Sequence, residues 1–188
     1  MKLVKIIFVS LVIFSFKANS QKIGKETYQL LKSFFTFKEV NVRAHKLDAQ
    51  LLGFKNPSIN MADVLRKTFF EKNPFLIDLN IDTIFYENDY RYMKLQVEKF
   101  NESQFLNKNR LRRYRIHYTD SASKYQISFP SYSIYRVCLP LFSANKETAL
   151  LYVEHFCGDD CAGGQLYILR KGNSGKWKSL ASILIWIS

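Results

Sequence analysis

The sequence predicts an α+β fold in which N-terminal helices pack on a C-terminal antiparallel β-sheet, laid out as a meander. Three observations point there. Apolar residues up to about position 100 recur mostly at helical spacing, whereas those after 113 alternate or form short runs. The turn signals of the second half, Asp120-Ser121, Asn145-Lys146 and Gly172-Asn173-Ser174-Gly175, separate extended stretches as in consecutive hairpins. With 47% hydrophobic and 15% aromatic residues the chain is too apolar for disorder and can bury a core.

Residues 1–20 read as a secretory signal peptide. Lys2 and Lys5 give a positive start, residues 6–16 are an uncharged apolar run, and Ala18-Asn19-Ser20 sets small residues before Gln21. The apolar run is eleven residues, whereas a spanning helix needs roughly 20. Export to the periplasm or beyond is therefore expected, with one domain over residues 21–188. Its helical half covers 21–109 and its β-rich half 110–188.

In the helical half, Ile23, Tyr28, Leu30, Leu31, Phe34 and Phe35 mark an amphipathic helix over 22–35. Residues 37–45 alternate like a strand. Pro57-Ser58 breaks the chain, and Ser58 or Asn60 caps a helix through Met61, Val64, Leu65 and Phe69 that ends at Asn73-Pro74. Asn80 or Asp82 precedes a further helix containing Ile84, Phe85, Tyr92, Leu95 and Val97, and 101–109 is polar and loop-like. In the β-rich half, strands are expected over 113–119, 125–130, 134–142, 148–156, 165–171 and 176–187. Pro130 and Pro140 mark edges or bulges. Such a sheet has a wet and a dry face, and the helices supply the cover of a two-layer domain.

Charge and cysteines bound the function. The chain carries +12, and loss of the three lysines of residues 1–20 leaves +9. That excess favours anionic partners; it also keeps an aromatic-rich protein in solution. Three cysteines are present, Cys138, Cys157 and Cys161. An exported chain meets an oxidising space, so Cys157 and Cys161, separated by Gly158-Asp159-Asp160, are expected to form a disulfide. Cys138 lies in an apolar stretch and reads as a buried thiol.

From Val137 onward several pieces occur together: Leu139-Pro140-Leu141-Phe142-Ser143, Cys157-Gly158-Asp159-Asp160-Cys161, Gly164-Gln165-Leu166-Tyr167, Gly175-Lys176-Trp177 and a closing Trp186-Ile187-Ser188. This last third resembles a family of small exported Gram-negative bacterial proteins without an assigned activity. They share a Cys-Gly-x-x-Cys loop, a Gly-Lys-Trp hairpin and a C-terminal Trp-Ile-Ser. Ala162 departs from that pattern, which often has glycine there, and no cysteine lies near residue 20 for a lipid anchor. The resemblance implies compartment and fold, and no activity.

Two clusters are candidates for chemistry. Glu154-His155-Phe156-Cys157-Gly158-Asp159-Asp160-Cys161 holds an imidazole, three carboxylates and two thiols. The thiol spacing and the compartment favour a disulfide over zinc, so no metal and no cofactor are expected. As strand neighbours Glu154 and His155 point to opposite faces and cannot serve one site. Asp159 and Asp160 suit a turn. His117 is a third candidate catalytic group if folding brings it near His155. The second cluster, Lys108, Arg110, Arg112, Arg113 and Arg115 with Tyr114, suits phosphate contacts; a solvated face is the plainer reading. An anionic envelope surface is a better partner for it than nucleic acid. The leading expectation is a non-enzymatic exported binding or interaction protein with a protein or envelope partner. The alternatives are a hydrolase whose residues converge from both halves, with Glu154, His155 and His117 as its candidates, and an immunity or inhibitor protein.

Overall fold

The computed structural model describes residues 23–36, 46–48, 50–54, 60–71, 79–100, 103–111, 117–119, 134–156 and 161–188. The expected signal peptide, the strands over 37–45 and 125–130, the breaks at Pro57 and Pro74, and Arg112, Arg113, Arg115 and Cys157 lie outside these residues. Helix α1 (Lys25–Phe34) forms where the amphipathic pattern requires, burying Tyr28, Leu30, Leu31 and Phe34 on one face. The single helix expected through Met61 and Phe69 is two short ones, α2 (Met61–Val64) and α3 (Lys67–Glu71). Asn80 caps a 3₁₀ turn at Ile81–Thr83 through a bond from the Asp82 N–H to its Oδ1 (3.2 Å). A separate helix α4 (Glu87–Lys99) follows, its first turn closed by Asp89 accepting from the Tyr86 N–H at 2.9 Å.

The fold class is α+β. The antiparallel meander is formed by β7 (Thr148–Phe156), β8 (Ala162–Lys171) and β9 (Trp177–Ile187), joined at one end by the Gly172–Gly175 turn with Gly175 at φ +74°. Upstream, β5 (Ile134–Val137) and β6 (Leu141–Phe142) both pair with β7, in line, with Pro140 interrupting them.

The helical half also contributes strands. β1 (Lys46–Asp48) lies parallel to both β4 (His117–Thr119) and β5, giving the order β4-β1-β5-β7-β8-β9. β2 (Gln50–Leu51) pairs with β3 (Gln104–Phe105), inside the stretch expected to be loop. These segments of two or three residues are too short to display a period.

A second departure concerns the layers. β7 is buried at every position from Thr148 to Glu154, so both of its faces are covered and a single wet face does not describe it. Its near-continuous apolar run, Ala149 to Val153, is the pattern of a doubly buried strand. Helix α1 roofs one face: the Phe34 ring meets Tyr167 edge-on at 4.9 Å, and the Ser33 hydroxyl accepts from the Trp177 N–H at 3.1 Å. Helix α4 is clamped to β6 by Gln96, whose amide donates to the Phe142 carbonyl (2.7 Å) and accepts from the Phe142 N–H (3.1 Å).

Candidate functional site

The two faces of the sheet at the cysteine end differ in character. One carries a buried polar chain. Arg136 on β5, Glu154 on β7, Gly164 on β8 and Trp186 on β9 are successive cross-strand neighbours. Glu154 is 2% exposed and lies 3.6 Å from the Arg136 guanidinium, which itself sits over the Phe156 ring at 5.1 Å. The Tyr152 hydroxyl donates to Glu154 at 3.4 Å and accepts from the Trp186 indole N–H at 2.6 Å. Gly164 lies directly beneath that last bond, where a Cβ would meet the Trp186 ring and the Tyr152 hydroxyl. Cys138, 1% exposed, is a free thiol in the same region; burial first, and then the Glu154 carboxylate, push its pKa well above the ordinary thiol range.

The opposite face opens, beyond the part roofed by α1, into a depression of about 410 Å³. Its floor is Val153, His155, Gly163 and Gln165, and its walls are Tyr135, Tyr167, Leu184 and Ile187, with Cys161 and Ala162 at one end. The Tyr135 and His155 rings stack at 4.5 Å and 23°. The Tyr167 hydroxyl donates to the Gln165 side-chain oxygen, which fixes the amide so that its NH₂ is the donor it can offer. Burial raises the Tyr135 phenol above its ordinary value, so it stays neutral. None of the described lining side chains is a carboxylate, an ammonium or a guanidinium.

A β-bulge divides the two faces on β9. Gly164 pairs with Trp186 but Gln165 pairs with Leu184, so Ile185 is the extra residue. Trp186 thereby closes the polar chain while Leu184 turns to the depression.

The candidate residues fall apart accordingly. Glu154 and His155 are on opposite faces, as alternation requires: Glu154 is spent on Arg136 and Tyr152, and His155 lines the depression. His117, on β4, is three strand spacings from β7, roughly 14 Å at the usual separation of strands. Of the basic cluster, Lys108 and Arg110 lie on α5 (Lys108–Leu111), and the Arg110 guanidinium stacks over the Tyr28 ring at 4.9 Å. The described residues contain no group of three or more His, Cys, Asp or Glu able to hold a metal. The Tyr135, Gln165, Tyr167 and Leu184 surround of His155 was not singled out from sequence. Their alternation with buried neighbours was readable, but the bulge that sends Leu184 to this side was not. No family model, curated protein or solved structure matches the chain.

Proposed function

We propose that the chain is an exported, non-enzymatic binding protein whose site is the depression above His155 and Gln165. Its ligand is a neutral molecule with a flat apolar ring face and hydroxyl or amide groups at the edge, such as a sugar unit of an envelope glycan. The observation that carries this is the separation on β7: the carboxylate is buried and paired on one face, and the other presents aromatic, amide and aliphatic groups. Aromatic faces with a few fixed polar groups are the ordinary lining of small-ligand sites.

Export is supported by the three-part pattern of residues 1–20. No helix among the described residues is long and apolar enough to cross a membrane. A Cys157–Cys161 disulfide is supported by the ladder beside it. Phe156 and Ala162 are cross-strand partners, and each is the chain neighbour of one cysteine, while Cys138 stays a free thiol.

The test is titration of the ¹⁵N-labelled protein with neutral N-acetylglucosamine oligomers. Shifts at Gly163, Gln165 and Leu184 that vanish in Tyr135→Ala support the reading. Shifts confined to other regions, or hydrolysis of the oligomer that depends on Glu154, overturn it. Mass spectrometry of the protein from the envelope fraction should find Gln21 as its first residue; an intact Met1 in the cytosol sinks the exported reading.

A further inference from the structure

A second, larger depression of about 510 Å³ lies between the start of α1, helix α4, the residues around β6 and the turn after it. Its floor is the Gln96–Phe142 clamp, whose amide is fully used by backbone. Ile23 and Thr27 form one wall, Tyr92, Leu95 and Lys99 the other, and Leu139 and Pro140 close an end. Leu95 is 57% exposed and Tyr92 37%. They stand three residues apart on α4 and form one ridge along the groove. An exposed leucine alone needs no explanation; this one borders a recess of side-chain size lined mainly by apolar atoms.

The charge at the rim is cationic. Lys99 flanks the ridge, and Lys146 stands opposite, 4.0 Å from Glu26, the one carboxylate among the described residues that line the groove, so two lysines face one carboxylate there. The N-terminal turn of α1 meets the groove at Gly24, and Glu26 in that first turn offsets its positive end, so the rim's positive charge comes from the lysines. The whole chain carries +12.

We infer that this groove docks a partner polypeptide through a large apolar side chain flanked by carboxylates. The apolar anchor fills the recess beside Leu95 and Tyr92, and the carboxylates meet Lys99 and Lys146. This interaction surface is separate from the depression over His155 and does not depend on it.

The probe is a fluorescent synthetic peptide with one leucine and one phenylalanine among glutamates. Two counterparts accompany it, one with lysines for the glutamates and one with alanines for the two apolar residues. The full mature chain is titrated with each by anisotropy and by ¹⁵N shift mapping. Binding of the first peptide only, with shifts at Tyr92, Leu95 and Lys99, is expected. Leu95→Glu should weaken it about tenfold or more by removing apolar contact and adding repulsion, and Lys99→Glu should weaken it several-fold. Both positions are exposed, so unchanged thermal unfolding certifies the variants. Equal binding of the alanine counterpart would reduce the surface to a nonspecific cation. Equal binding of the first peptide to wild type and Leu95→Glu, shifts mapping elsewhere, or no binding would each overturn the inference.

Discussion

Replacing Gly164 by alanine tests the packing that holds the two sheet faces apart. An added Cβ would fall within 3.0 Å of the Tyr152 hydroxyl and the Trp186 indole nitrogen, and 2.7 Å from Trp186 Cδ1. Those atoms are already hydrogen-bonded to each other at 2.6 Å, so neither can retreat without breaking that bond. Tyr152 is 1% exposed and has no room behind it; the ring of Trp186 on edge strand β9 must therefore swing out. Overpacking costs about 1–3 kcal/mol. Leaving a buried hydroxyl with only its long bond to Glu154 adds about 1–3 kcal/mol. Alanine recovers up to roughly 1 kcal/mol of the backbone entropy that glycine loses. The balance is about 1–5 kcal/mol, and a chain of this size loses about 2–4 °C of Tm per kcal/mol. Equilibrium urea unfolding gives the free energy, and tryptophan emission should shift red as Trp186 becomes wetter. In Gly164→Ala combined with Trp186→Ala the obstructing ring is gone, so the double variant should cost less than the sum of the singles by at least about 1 kcal/mol. A single variant within about 0.5 kcal/mol of wild type, or strict additivity in the pair, would refute the reasoning.

Three further outcomes are expected. Gln96→Ala strands the Phe142 N–H and carbonyl and should cost about 2–4 kcal/mol in urea unfolding; Gln96→Glu, which can accept but not donate, should cost no less. Cys138 should resist iodoacetamide at pH 8 in the native protein, because burial and Glu154 hold the thiol protonated, and become the single thiol that labels after denaturation without reductant; three labelled thiols would remove the Cys157–Cys161 bridge. The Tyr90 phenol is pushed up to about 12 by burial, with Asp82, Glu71, Glu87 and Asp89 adding to it. The folded state thus prefers the protonated phenol, so its contribution is complete below pH 10 and is lost as pH rises from 10 toward 12. Absorbance at 295 nm should show a late-titrating phenol component that shrinks by one tyrosine in Tyr90→Phe.

The strongest elements were legible because their residues are locally consistent. Residues 148–156 are mostly apolar and bounded by turn signals at both ends, and β7 spans that stretch in full. Lys25–Phe34 shows a helical stripe and is a helix. Illegible parts depend on contacts distant in sequence. β1 has three residues, and its place between β4 and β5 is set by partners about 70 and 90 positions away. Asp89 is buried within a polar-looking helix because one of its oxygens accepts from the Ala144 N–H at 2.9 Å, which no pattern on α4 announces. Period two separated Glu154 from His155 correctly. It gave no sign that Glu154 would be enclosed, because the groups enclosing it, Arg136, Tyr152 and Trp186, come from three strands.

The bulge at Ile185 explains how both faces are served by one strand. In a regular strand Leu184 and Trp186 would share a face. Trp186 would then close the polar chain with Leu184 beside it, leaving the depression over Gln165 without its aliphatic wall. One extra residue reverses the side on which Leu184 emerges, opposite Gln165, while Trp186 keeps its place opposite Gly164. The same alternation runs without interruption on β7, so Glu154 belongs to the closed face and His155 to the open one. A proton relay between those two side chains would have to pass through the strand that separates them. The open face is thus left with aromatic and amide groups, which suit the stacking and hydrogen bonding of the ligand proposed for it, while the carboxylate serves the fold.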